Sequence, residues 1–552
     1  MKRLLLIITI FFIANVSFAQ LSVKGTPKTF IHKDLAVLLT SIVEVEQPDL
    51  TDIINQDNDS DNMIKTRRFG VILPLGFDFF EKADYAEVDK GKLWVLRVKS
   101  NNAQALTLYS DSFYIPEGGE LFIYNKNHSQ VIGAFTSLNN DEYKNFASEL
   151  VYGDEMVVEY YQPNYVSDKP IFNLSEIGYA YRDCSFDLSK ASSEFGSSGS
   201  CNVNVNCVEG NNYRNAQRGV VRILVRSQNG LGWCSGSLIN NATRDLAPYV
   251  LSAAHCIEGS GTSYYSSFVF YFNYESSSCP TTSIEPTSKT LKGTSVKAQG
   301  SYSDFVLFLL TNNVPQSYNA YWNGWNVQNT ASLKGVAIHH PAGDIKKIST
   351  YITPLVGMGI PPNQSNITHW KAQWAQTQTN YGITEGGSSG CPLFNLSSQI
   401  VGTLTGGTSS CNALVSERND YFGKMSYSWT TNGTTNSSRL KPWLDPQNTG
   451  VTQFRGDDYN TLAINEVAKT NDSYSKIYPN PAKNDINIIL SPQKDPIQIT
   501  IYDKLSRLIL TKTIPSNTSE YSINAINFNA GYYIIKFNSL DKSWTDKLII
   551  SQ

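Results

Sequence analysis

Several things are scarce or missing in this chain, and each absence narrows what it can be. Its 45 Lys and Arg almost cancel its 48 Asp and Glu, leaving a formal charge of −3 over 552 residues. That balance gives no reason to expect nucleic acid or an anionic membrane as a partner. After the first twenty residues no apolar run is long enough for a membrane span. No glycine loop leads into a helix in the manner of a phosphate cradle, and there is no internal repeat and no lipidation signal. No cysteine or histidine cluster has zinc-like spacing. His339 and His340 are adjacent, so on a strand they point to opposite faces and cannot readily chelate one ion. No metal and no cofactor is expected.

What is present is a turn. Gly386-Gly387-Ser388-Ser389-Gly390-Cys391-Pro392 combines glycines, which tolerate tight backbone geometry, with a serine whose hydroxyl such a turn would expose. The amides of Gly387 and Ser389 could converge on a developing oxyanion, often the largest single term in acyl transfer. Alone, such a run is more often a plain loop. A serine also needs a base, and the base an orienting acid. The chain has only six histidines, and one stands in Leu251-Ser252-Ala253-Ala254-His255-Cys256. Further on, Ser303-Asp304 heads the apolar run Phe305–Leu310, the pattern of a buried strand carrying one otherwise costly charge. His255, Asp304, Ser389 is one of the three known chain orders for such triads. Each residue has an ordinary structural reading; all three in that order, each in the expected setting, favour the catalytic one.

The order and motifs resemble chymotrypsin-like serine peptidases. More closely, residues from about Gly196 to Gly456 resemble the bacterial lysyl endopeptidases. The matching stretches are Gly199–Cys207, Cys234–Asn241, Ser303-Asp304-Phe305, Ile338-His339-His340-Pro341, Thr384–Gly390 and Arg439–Pro446. The resemblance implies an all-β fold, a chymotrypsin-like double β-barrel with the cleft between the barrels. Runs such as Val220–Val225 and Phe268–Phe272, rich in β-branched and aromatic residues, suit that expectation. It also implies a secreted endopeptidase acting through an acyl-enzyme on protein or peptide substrates. The alternatives are a serine endopeptidase of other preference, or an inactive surface adhesin on a peptidase scaffold.

Trypsin-like enzymes place their specificity acid six residues before the nucleophile, where this chain has Ile383. Lysyl endopeptidases take it from a later loop, whose counterpart here is Asp420 in Arg418–Gly423. A substrate lysine reaching Asp420 would make a charge-assisted hydrogen bond; otherwise Asp420 caps an exposed loop. Glu385 is read as part of the turn. The family's histidine beside the pocket corresponds to Thr405, and its stacked tryptophan has no counterpart in Leu355–Pro362. Ser388 stands where typical chymotrypsin relatives carry the aspartate that binds a newly freed amino terminus. Activation is therefore expected to proceed by removal of a covering segment.

The eight cysteines are 184, 201, 207, 234, 256, 279, 391 and 411. In an oxidising compartment disulfides are the default reading. The resemblance implies Cys201–Cys411, Cys207–Cys279 and Cys234–Cys256. Cys184 and Cys391 are left, either as free thiols or as a bridge that holds a precursor inactive.

Residues 1–19, a basic start and a short apolar core ending at Ser17-Phe18-Ala19, read as a secretory signal peptide. Residues 20–190 read as a β-rich propeptide, with an independent substrate-binding module as the alternative; Lys190 is a candidate self-cleavage point. The serine peptidase domain is expected over 191–457 and a polar linker over 458–476. Residues 477–552 alternate as a small β-sandwich would. Their order resembles the C-terminal sorting domains of type IX secretion in Bacteroidetes, implying the type IX secretion machinery as a partner and passage through periplasm and outer membrane to the surface or medium. A carbohydrate- or protein-binding appendage is the alternative.

Overall fold

The computed structural model describes residues 25–35, 40–58, 67–182, 196–281, 285–360, 366–459, 475–490, 494–503, 507–539 and 543–551. It divides into two compact units, Met1–Tyr459 and Asn460–Gln552. Cys184, Lys190 and the signal segment lie outside the described residues, as does most of the expected linker. The linker's first residues are packed rather than loose: Arg218 pairs with Asp458 at 2.7 Å.

In the first unit the N-terminal part builds a six-stranded sheet around Gly91–Lys99, Glu155–Pro163 and Glu120–Asn125. Its inward residues, among them Leu96, Val98, Leu121, Ile123, Met156 and Val158, form a buried cluster with Phe113, Phe172 and Tyr179 of a second sheet. That second sheet does not end with the N-terminal part. Strand Arg68–Asp78 pairs on one side with Ile171–Ala180 and on the other with Gly230–Leu238, through Leu231↔Gly70 and Gly232↔Arg68. The result is one twelve-stranded sheet that crosses from the N-terminal part into the peptidase-like part. Phe69 stacks on Trp233 with ring centroids 5.1 Å apart. Both belong to a buried cluster holding Tyr109, Ala180, Leu224, Leu231 and Tyr271.

The expected double β-barrel is not what forms. The first peptidase-like ladder runs Lys289–Lys292, Val269–Phe272, Val220–Ser227, Gly230–Leu238, Tyr249–Ser252, Phe305–Leu310 and Thr294–Gly300. Its two outermost strands are joined by Gly293 alone, at φ +85°. The two do not pair with each other. The second, ten-stranded sheet runs from Val203–Asn204 to Val356–Met358, and those ends do not pair either. Both sheets are open, so the architecture is mostly β with several open sheets.

Three disulfides occur among the described residues: Cys201–Cys411, Cys207–Cys279 and Cys234–Cys256. Cys391 is free and fully buried, and burial pushes its thiol far up. The bridge Cys234–Cys256 closes a loop of sequence separation 22 around the turn that carries His255. Replacing both cysteines with Ser should lower unfolding free energy by about 3 kcal/mol. Urea denaturation checks this, and an unchanged midpoint would contradict it.

The second unit holds a three-stranded and a four-stranded sheet. Ile486, Ile488, Ile499, Ile501, Ile535, Phe537 and Leu548 fill the space between them. The alternating burial of Gly531–Asn538 matches a sandwich strand with one inner face.

Candidate active site

Pairing of Tyr249–Ser252 with Phe305–Leu310, in the register Ser252↔Val306, brings the residues after the first strand beside those before the second. His255 lies in a short turn and Asp304 takes a left-handed φ of +50°. Asp304 then holds His255 twice. Its Oδ1 accepts the His255 amide at 2.9 Å, and its Oδ2 lies 2.7 Å from His255 Nδ1. Both residues are buried.

Ser389 sits in the turn before strand Pro392–Asn395. From Gly386 to Ser389 every carbonyl is engaged. Gly386 O accepts from Ala342 N, Ser388 O from Cys391 N and Ser389 O from Ser235 N, while Gly387 O accepts from Ser235 Oγ. Ser388 N donates to Glu385 O and Gly390 N to Leu404 O. The amides of Gly387 and Ser389, between and before these, donate to nothing among the described residues. Gly390, at φ +79°, admits no side chain, since a Cβ would lie 2.1 Å from Ser252 Oγ.

Ser388 is held without charge. Its hydroxyl lies 2.8 Å from His339 Nδ1 and accepts from Glu385 N at 3.2 Å. The other ring nitrogen of His339 lies 3.0 Å from Ser349 Oγ, and burial lowers its pKa to about 3. His340 faces elsewhere, its Nδ1 2.9 Å from Asp344 O. The two adjacent imidazoles thus serve different networks, and no metal-binding cluster occurs among the described residues. Glu385 accepts from Gly199 N and from Asn202 Nδ2, which ties the turn to the segment around Cys201.

His255 and Ser389 line one cavity of about 690 Å³ with Thr405, Gly407, Ser409 and Asp420. Asp420 is 1% exposed. It is no exposed cap: its carboxylate accepts from Trp374 Nε1, from Thr384 Oγ1 at 2.7 Å and from Ser409 Oγ at 2.6 Å. Burial raises its pKa above the usual carboxylate range despite these donors. No Lys or Arg forms an ion pair with it among the described residues. Gly407 is required beside it, since a Cβ there would stand 1.9 Å from Asp420 Oδ1.

Thr405 is buried, with Oγ1 3.0 Å from His369 Nε2, whose Nδ1 lies 2.7 Å from Thr368 Oγ1. An imidazole therefore reaches Thr405 from a strand of the same sheet, and burial lowers its pKa to about 4. His369 and Trp374 lie on or next to His369–Gln373, which pairs with Asn419–Lys424 in the register Ala372↔Asp420. Sequence reasoning missed both, although a histidine and two tryptophans within six residues, His369-Trp370-Lys371-Ala372-Gln373-Trp374, were a usable signal.

The far wall of the cavity comes from the N-terminal part: Gln56, Asp57, Arg67, Arg68 and Arg182. Asp57 binds Arg68 at 2.9 Å and Arg182 at 3.1 Å. Arg67 lies against Gly386, where a Cβ would come within 2.9 Å of its side chain.

The hydrogen-bonded His255–Asp304 pair and the Ser389 turn border one cavity. Residues 195–423 match the family model described as lysyl endopeptidase, C-terminal domain, and residues 476–551 match the secretion system C-terminal sorting domain. The chain carries a lysyl-endopeptidase-like serine peptidase domain fused to a type IX secretion C-terminal sorting domain. A sorting domain of this kind marks a secreted or cell-surface protein. The lysyl endopeptidase of Pseudomonas aeruginosa is 29% identical over 290 residues, which are 50% of this chain and 60% of that protein. Among solved structures, the thermostable serine protease AL20 from an extremophilic microorganism aligns at 14% identity with a TM-score of 0.27, covering 38% of this chain and 92% of its own. Protease Anisep from Arthrobacter nicotinovorans aligns at 17% with a TM-score of 0.28, covering 38% and 90%.

Proposed function

We propose that this protein is a secreted serine endopeptidase that cleaves peptide bonds after lysine. Ser389 Oγ attacks the carbonyl carbon while His255 takes its proton. The amides of Gly387 and Ser389 hold the oxyanion. His255 then returns the proton to the leaving amine as the C–N bond breaks, and water hydrolyses the acyl-Ser389 ester by the same relay. Asp304 keeps the imidazole oriented and stabilises its charged form. The observation that carries the reading is the two-point hold of Asp304 on His255 in the cavity that Ser389 lines.

Lysine preference rests on Asp420, a buried carboxylate in the same cavity with three side-chain donors and no cation of its own among the described residues. An incoming ammonium supplies the missing charge. Residues 1–19 act as the export signal, 20–190 as an inhibitory propeptide, and 458–476 as the connector to the sorting domain, which is read by the type IX machinery. Support for inhibition is the strand Arg68–Asp78 added to Gly230–Leu238, which brings Arg67 and Arg68 to the cavity wall.

A fluorophosphonate probe should therefore label the full-length chain at Ser389 slowly. Phe69→Asp, by removing the ring that stacks on Trp233 and leaving a buried charge, should speed labelling roughly tenfold or more, since such core losses cost about 3–5 kcal/mol. Equal rates would discount the inhibitory role. No labelling even after proteolytic removal of the N-terminal part would sink the peptidase reading.

A further inference from the structure

Ser235 touches the nucleophile turn at two points, on either side of Ser388. Its amide donates to Ser389 O at 2.8 Å, and its hydroxyl donates to Gly387 O at 2.9 Å. The hydroxyl also accepts from His340 N at 3.0 Å. A hydroxyl has one proton, so with an N–H already pointing at its oxygen that proton is directed to Gly387. The Ser235 carbonyl accepts from Ser252 Oγ at 2.8 Å, three residues before His255. Ser235 is completely buried.

We propose that Ser235 is a positioning residue for the hydrolysis, its hydroxyl and amide together holding the two peptide units that flank the Ser389 N–H and so aiming that N–H at the oxyanion. The inference rests on the peptidase reading. A peptide unit is planar and trans, so fixing its C=O fixes the N–H on the opposite side. Holding Gly387 O sends the Ser388 N–H to Glu385 O, and holding Ser389 O sends the Gly390 N–H to Leu404 O. The Ser389 N–H belongs to the peptide between these two held units and has little freedom left. Gly387 is the weak point. With φ +94° and no Cβ to restrain it, its peptide rotates readily unless the carbonyl is gripped. Ser235 supplies that grip from the strand that also pairs with the strand leading to His255, through Ser237↔Leu251. Base and oxyanion donors are thereby referred to one rigid element.

Ser235→Ala in the full-length chain, activated by limited proteolysis beside the wild type, tests this. Expected are a kcat lower by roughly tenfold or more with KM within about twofold, because the lost alignment matters where charge develops. Affinity for a peptidyl boronate, which forms a tetrahedral adduct on the serine, should fall by the same factor, while affinity for the matching product peptide stays unchanged. Ser235→Cys, similar in size with a weaker donor, should fall between, and it carries the test if the Ala variant does not fold. A folded variant with wild-type kcat, or one that loses kcat yet keeps its boronate affinity, would overturn the proposal. A wild type that hydrolyses no peptide would instead refute the peptidase reading.

Discussion

Ser389→Ala should remove about 10⁴- to 10⁶-fold of the activated protein's peptide hydrolysis, because a triad acts as a unit and loses nearly everything with its nucleophile. The residual rate would reflect substrate held against the unengaged amides of Gly387 and Ser389. His255→Ala should lose a comparable factor. Asp304→Asn should lose on the order of 10⁴-fold, since an amide at 2.7 Å from Nδ1 no longer selects the productive tautomer. Ser389→Ala has little reason to unfold, since Ser389 engages the fold through its backbone carbonyl. Its thermal midpoint should therefore match the wild type, and initial rates on a lysine-containing fluorogenic peptide give the comparison. A variant that keeps more than a few per cent of activity would place the nucleophile elsewhere.

Asp420→Asn should produce the second large effect, and it should be selective. A lysine ammonium entering the cavity leaves water and is compensated by the Asp420 carboxylate, which has given up its own hydration already. Removing one partner of such a buried pair costs about 3–5 kcal/mol, which is roughly 10²- to 10⁴-fold in kcat/KM for lysine substrates. Substrates with neutral residues before the scissile bond should change little. Equal losses on both would mean that Asp420 shapes the site through Trp374, Thr384 and Ser409 rather than by charge.

The same carboxylate makes a signed pH prediction. Its folded pKa is raised, so in the free protein it takes up a proton at higher pH than an ordinary Asp. The folded state therefore binds that proton before the unfolded chain does. Stability at this site is gained as pH falls through the folded pKa and lost as pH rises. Lysine recognition runs the other way, because it needs the ion. Preference for lysine over a neutral substrate should narrow on acidification before the fold fails, and Asp420→Asn should remove that pH dependence.

The local backbone shapes around the candidate site were legible in the sequence, for a definite reason. His255, Asp304 and the Gly386–Gly390 turn each need a local backbone shape, and local shape leaves motifs: a strand end before His255, an apolar run after Asp304, glycines around Ser389. The alternation in Gly531–Asn538 likewise announced a sandwich strand. Features created by pairing between distant edges leave no such trace. Strand addition of Arg68–Asp78 to Gly230–Leu238 depends on which edges are open and complementary, and that placed Arg67 and Arg68 at the cleft unforeseen. Barrel closure failed as an expectation for the same reason. It is decided by whether terminal strands meet, and the terminal strands of neither sheet pair with each other. His369 reached Thr405 by strand register, Ala372↔Asp420, which spacing alone does not encode.

The central claim is tested most directly by mass-spectrometric mapping of cut sites in a mixed peptide library, using activated wild type, Ser389→Ala and Asp420→Asn. The account predicts new C-termini that are overwhelmingly lysine for the wild type, none above background for Ser389→Ala, and a slow, less selective set for Asp420→Asn. Cleavage that persists unchanged in Ser389→Ala, or a wild-type pattern indifferent to lysine, would contradict it.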